Sequence, residues 1–228
     1  MIKMLHLILL ESALELVPRE IIKHPAVLKN AKRRKKKPTE TLLDISLHYH
    51  AMKNLPDREK RGRPDIVHVS LLNALESPLN KEGRLRVYVH TYNGHIIFIK
   101  PETRIPRNYN RFVGLMEQLL TKGKVPPDAE DPLIYVKTIT LEELLNKIKK
   151  KGLVLLRENR ERKKPIDIVK YALENDLAIG IGGFPHGDFS RHILKIATKE
   201  FSIYHYSLPS WIVVSRIITS AEILYNIL

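Results

Sequence analysis

The sequence has no cysteine. That absence excludes a disulfide framework, thiolate catalysis and any zinc or iron–sulfur site built on Cys, and it points to an intracellular, cytoplasmic chain. Glutamine is nearly missing as well, Gln118 being the only one. With abundant Lys, Arg and Glu, this is the composition of a protein depleted in thermolabile side chains. No apolar run reaches the length of about 18 residues that a membrane-spanning helix needs. The best candidate, residues 211–228, carries Arg216, Glu222 and Asn226. The apolar start is followed at once by Glu11 and Glu15 without a small-residue cleavage site, so it reads as a buried strand rather than a signal peptide. Three motifs are also wanting. The histidines show no HExxH or comparable ligand spacing, which sets a metal aside. There is no G-x-S-x-G nucleophile turn. The dinucleotide fingerprint breaks where Pro185 follows Gly180 and Gly182 at the third glycine's place, which disfavours a nucleotide-cofactor oxidoreductase.

What the chain has in excess is positive charge. Of 228 residues, 39 are Lys or Arg and 25 are Asp or Glu, a formal net charge of +14. Such a chain repels itself unless the charge serves an acidic partner, nucleic acid above all. With 43% apolar residues, it buries up to ~70% of its unfolded surface, enough for one large domain. Seven cations and no acid stand between Lys29 and Lys37, ahead of Pro38. This run, residues 29–38, reads either as a solvated linker or as a flexible arm that neutralises phosphates.

Periodicity predicts a strand over 2–10 and a helix over 12–22, then a helix from Pro64 to Leu75 with Pro64 suited to its first turn. Strands over 85–91 and 95–100 are joined by Asn93-Gly94, a strong hairpin signal, and a helix covers 110–121. From Leu133 onward strands and helices alternate: a strand over 134–136, a capping box at Thr140 and Glu143 opening a helix to Lys150, a strand over 153–156 and a helix over 165–173. A strand over 177–181, a helix to about Ala197, a strand over 201–206 and a helix over 209–227 complete the chain. This alternation predicts an α/β fold, a mainly parallel sheet with helices on both faces.

Three turns fall at carboxyl ends of these strands: the basic loop after Leu156, the glycine-rich Gly182 to Gly187, and Ser207 to Trp211. Outside a parallel sheet this is where ligands bind, because bare backbone admits close approach. Each is also readable as a plain turn. The apolar last helix reads as a core helix or as one buried against a partner subunit. Arg63, Arg104, Arg107 and Arg111 gather near helix N-termini, where phosphate binds well, and Asp65 is placed to orient Arg63 or to cap its helix.

These residues resemble the small-subunit ribosomal RNA pseudouridine-N1-specific methyltransferases of archaea and eukaryotes, a family of the SPOUT (trefoil-knot) superfamily. The resemblance is carried by Arg63-Pro-Asp-Ile-Val-His68, Ser77-Pro-Leu-Asn80, Val89-His-Thr91, Thr103-Arg-Ile-Pro-Arg107, Arg111-Phe112 with Gly114-Leu-Met116, Gly182 to Gly187, and Tyr206-Ser-Leu208. Lys35-Lys-Lys-Pro-Thr-Glu-Thr-Leu-Leu-Asp44 matches the archaeal form. The resemblance implies a single SPOUT-like domain over 1–228 with a C-terminal trefoil knot, within which 29–38 is a basic arm and 77–107 a hairpin-containing RNA-binding extension. It implies a homodimer, S-adenosyl-L-methionine as methyl donor, and N1 of a pseudouridine in a small-subunit (16S) ribosomal RNA stem-loop as acceptor, in ribosome biogenesis. It assigns donor contacts to Gly182, Gly187, Ile203, Tyr204, His205, Tyr206, Ser207 and Leu208, with Leu156 completing the cleft. It assigns RNA contacts to Arg63, Arg104, Arg107 and Arg111, and it makes Arg63 and Asp65 the candidate catalytic pair, Asp65 holding Arg63 or acting as base. A non-enzymatic ribosome-assembly factor using the same basic surface is the alternative.

Overall fold

The computed structural model describes residues 3–228, so Ile2, expected in the first strand, lies outside the described residues. In chain order the elements are β1 (Leu5–Ser12), α1 (Pro25–Arg34), α2 (Ile45–His48), α3 (Pro64–Leu75), α4 (Pro78–Lys81), β2 (Leu85–Thr91), β3 (Ile96–Ile99), α5 (Tyr109–Lys122), β4 (Lys124–Val125), β5 (Ile134–Lys137), α6 (Leu141–Lys147), β6 (Gly152–Leu156), α7 (Pro165–Glu174), β7 (Leu177–Gly182), α8 (Arg191–Ile196), β8 (Ala197–Phe201) and α9 (Ser210–Leu224). The strands form one sheet in the order β4-β5-β3-β2-β1-β7-β6-β8. From β2 to β8 the strands are parallel, and β3, β5 and β4 extend the sheet antiparallel at its other edge.

Side chains alternate across a strand, and here both faces are apolar. Leu7 and Leu9 of β1, Val87 and Val89 of β2, and Val154 and Leu156 of β6 face the layer of α3, α5, α7 and α9. Their neighbours Ile8, Leu10, Tyr88, Leu153 and Leu155 face α6 and α8. The sheet is therefore covered on both sides, as the strand–helix alternation predicts. The hairpin is also as expected, with Gly94 at φ +80°, but it is no appendage. Its first strand, β2, pairs with β1 at the centre of the sheet, so residues 77–107 are in large part core.

After β8 the chain leaves the sheet edge and returns to α9, which packs against α3 and α7. On the way the Ser202 N–H donates to the Glu161 carbonyl at 2.9 Å, and the Lys163 N–H donates to the Ser202 carbonyl at 2.9 Å. The C-terminal segment thus passes against the 157–164 loop, the crossing on which a C-terminal trefoil knot is built.

Three expectations need correction. Residues 12–22 are not a helix. Residues 13–18 run as non-helical chain, because the Val17 N–H donates to Thr41 and the Leu43 N–H to Glu15, while Glu15 is committed to a buried pair with Arg61; only Arg19–Ile21 makes a short 3-10 turn, which buries Ile21. The basic run is neither linker nor flexible arm. Lys29 to Arg34 lie in α1, capped by His24, and Arg34 and Lys36 both reach Glu117 of α5 at 2.7 Å. That carboxylate is 1% exposed and also accepts the Leu42 N–H, so a buried anion folds the cationic segment down. Finally, the aromatic stretch 202–206 is loop rather than strand, because Ser202 spends its backbone on the crossing; β8 ends at Phe201.

Candidate functional site

Because β6, β7 and β8 are parallel neighbours, the loops that follow them open on one edge of the sheet. Together they enclose a cavity of about 740 Å³. Residues 156–160 form one wall, 181–189 a second and 202–211 a third, and Arg63 and Ile66 of the α3 N-terminus close the side. The sequence pattern thus located all three loops. Leu156, Gly182, Gly187, Ile203, Tyr204, Tyr206, Ser207 and Leu208 all line the cavity. His205 does not; its side chain meets Arg162 instead.

The glycine-rich loop has local reasons for its composition. Gly187 lies in the left-handed region at φ +92°, which a side chain rarely tolerates. A Cβ on Gly183 would fall 2.9 Å from the Ser12 backbone, so only glycine allows the β7 turn to close on the end of β1. The Ser210 hydroxyl donates to the Gly182 carbonyl at 2.5 Å, fixing the start of α9 to the end of β7.

Polar order in the cavity comes from residues the sequence reading overlooked. Arg157 donates from Nε to Asp188 at 2.7 Å and from Nη1 to Glu200 at 3.0 Å. Its hydrogen bond holds the Asp188 carboxyl below the usual carboxylate range and pushes the guanidinium up. The pair ties the β6 loop to the glycine loop. Phe184 and Trp211 add aromatic lining. The signal available for Arg157 and Asp188 was position alone, one at a strand end and the other next to Gly187.

At the cavity's side, Arg63 donates to both oxygens of Asp65, at 2.8 and 2.7 Å, and this bond raises the arginine above its ordinary value. Asp65 itself does not line the cavity. Behind it, the Tyr109 hydroxyl donates to Asp44 at 2.7 Å; burial and that carboxylate push the phenol well up. His68 of α3 bonds the Pro106 carbonyl at 2.7 Å and stacks on Phe112 at 4.4 Å. These contacts set the 103–107 turn against α3. Arg104, Arg107 and Arg111 are exposed outside the cavity. Arg107 pairs with Glu76 at 3.1 Å, and Arg111 lies in the first turn of α5, capped by Asn108.

Residues 7–222 match the family described as EMG1/NEP1 methyltransferase. The chain belongs to that family. It is 72% identical to the ribosomal RNA small subunit methyltransferase Nep1 of Staphylothermus marinus, over 97% of this chain and 96% of that protein. The protein of the same name from Pyrococcus furiosus is 49% identical over 96% of this chain and 97% of its own length. Among solved structures, Archaeoglobus fulgidus Nep1 bound to S-adenosylhomocysteine superposes with a TM-score of 0.87 at 43% identity, covering 97% of this chain and 99% of that one. The expected family and α/β fold class are thereby borne out, and the chain is a methyltransferase of the EMG1/NEP1 type.

Proposed function

We propose that the protein transfers a methyl group from S-adenosyl-L-methionine to N1 of a pseudouridine in a stem-loop of small-subunit ribosomal RNA, in ribosome biogenesis. The observation that carries this reading is the three-loop cavity beside Arg63, in a chain alike over its length to a protein solved with S-adenosylhomocysteine. A volume of about 740 Å³ lies within the range of small-molecule sites. Its walls suit the group: apolar Leu156, Ile203 and Leu208 for a flat base, and bare backbone at Gly182 and Gly187 for close approach. When bound, the donor supplies an already activated methyl on a sulfonium sulfur.

The chain's own task is then alignment. Pseudouridine is joined to ribose through carbon, which leaves N1 as a free N–H, whereas the N1 of uridine is occupied by the sugar. Arg63, held by both oxygens of Asp65, presents a fixed cation at the cavity's side, where it positions the acceptor nucleotide once that base is extruded. Asp65 acts as a positioning residue rather than a base, since both its oxygens accept from Arg63 and it lies outside the cavity lining. The N1 proton passes to solvent. Arg104, Arg107 and Arg111 take phosphates of the same stem-loop. A homodimer through α9 fits Ile212 and Ile223, which share an outward face of that helix and are 37% and 50% exposed.

The deciding experiment incubates labelled donor with two stem-loops that differ only in uridine or pseudouridine at one loop position. Both should bind alike, because phosphate and flanking-base contacts are unchanged, and only the pseudouridine RNA should gain a methyl by mass spectrometry of the digest. Methylation of the uridine RNA would assign the wrong acceptor atom. Absence of donor binding by calorimetry would leave a non-catalytic RNA-binding role.

A further inference from the structure

A second recess, of about 370 Å³, opens on the other side of Arg63 and shares Arg63, Pro185 and His186 with the main cavity. Ile45, Arg58 and Glu59 complete its walls. At its edge the Arg58 guanidinium lies over the Tyr49 ring, its carbon 4.6 Å from the ring centroid. Tyr49 is 54% exposed. Among the described residues no carboxylate lies within ion-pairing distance of Arg58 and its side chain makes no hydrogen bond, so its N–H groups remain available.

The ring is held in the open by what surrounds it. His48 just before it is fully buried, bonded to Asn30 at 3.2 Å and accepting the Asp44 N–H at 3.1 Å. Met52 just after it is fully buried too, and His50 meets the ring edge-on at 5.4 Å. An exposed aromatic ring layered with an arginine is the composition on which splayed bases stack, since every base has a π-face and the guanidinium adds cation–π attraction. The recess behind it is apolar at Ile45 and Pro185 and polar at Glu59, Arg63 and His186, which matches a nucleobase, apolar on its faces and polar along its edge.

We propose that Tyr49 and Arg58 form a stacking platform for an unpaired RNA base adjacent to the acceptor nucleotide, with the recess beside Arg63 receiving the edge of that base. This rests on RNA being the substrate. It adds a specificity element, because a base stacked here fixes which loop nucleotide reaches the cavity.

The test uses the full-length protein and stem-loop RNAs carrying 2-aminopurine on one or the other side of the acceptor, with a blunt duplex of the same stem as control. The parental protein should quench the fluorescence of one of the two loops. Tyr49→Ala should abolish that quench and weaken stem-loop binding by about 5- to 100-fold, while duplex affinity stays unchanged. Tyr49→Phe, which keeps the ring, should retain both quench and affinity. Parental affinity and quench in Tyr49→Ala would overturn the platform and leave the exposed ring to a protein partner. An equal loss on stem-loop and duplex would overturn it as well, making Tyr49 a support of the general basic surface. If the parental protein itself shows no preference for the stem-loop over the duplex, the substrate reading fails and the platform with it.

Discussion

Gly187 shows how one missing side chain serves a site. Its φ of +92° is strained for any other residue, and a Cβ there would lie 3.3 Å from Lys60. Gly187→Val should abolish donor binding in calorimetry while leaving the circular dichroism spectrum and RNA affinity largely intact. A folded variant that binds the donor normally would remove this loop from the site. Histidines supply a second test at this scale. His90 and His48 accept backbone N–H groups from Glu11 and Asp44 through Nδ1, each at 3.1 Å, so protonating that nitrogen breaks the bond. Burial lowers both, and burial with nearby Lys150 and Arg86 lowers His6 to about 4. The unfolded chain takes up these protons near 6.5, the folded chain only further down. The histidine contribution is therefore complete above about 6.5 and is lost as pH falls from there towards 4. Urea midpoints at pH 7.5, 6 and 5 should decline in that order, and His6→Asn should flatten the decline.

At the scale of elements, charge was the least legible property of the sequence and apolar rhythm the most. Alternation from Leu133 onward located two of the three strands whose ends bear the cavity, β6 and β7, because parallel strands buried on both faces leave short apolar runs that capped helices separate; the third was expected over 201–206, where only Phe201 belongs to β8. Residues 12–22 deceived for a physical reason: non-helical chain followed by one 3-10 turn, buried in the core, carries as many apolar residues as an amphipathic helix, and only its long-range partners Thr41, Leu43 and Arg61 reveal which it is. The cationic run deceived likewise, since nothing local announces that Glu117, far along the chain, will bind it. Glu117→Ala should cost about 2 kcal/mol or more, less than a fully buried pair because Arg34 and Lys36 keep 22% and 33% exposure. Limited trypsin digestion should then cut within residues 29–37, where the parental helix resists. The turn over 103–107 and the start of α5 carry the arginines of the outer surface. Replacing Arg104, Arg107 and Arg111 together by Ala should weaken RNA binding and reduce the salt dependence by about 0.7 to 0.9 of logarithmic slope per lost phosphate contact. Donor affinity should not move.

For the molecule as a whole, +14 charges and an apolar outer stripe on α9 pull in opposite directions. The charges keep separate copies apart at low salt, while the exposed Ile212 and Ile223 would favour close contact between two α9 helices in the proposed dimer. Sedimentation should give about twice the chain mass at micromolar concentration, and Ile212→Glu with Ile223→Glu should yield a monomer. A parental protein that sediments as a monomer and still methylates RNA would exclude the dimer from the reaction.

The passage of residues 202–209 against the 157–164 loop has a kinetic meaning. Two of the three cavity walls are the loop segments of that crossing, so a chain that has collapsed without drawing its C-terminus past the loop owns no binding pocket, however much sheet it has formed. Ligand occupancy then reports completed threading, and the donor stabilises the finished topology alone, by about 2.7 kcal/mol at a hundredfold excess over its dissociation constant. In a refolding time course, secondary structure should return early, and the capacity to bind donor should return only with the slowest phase.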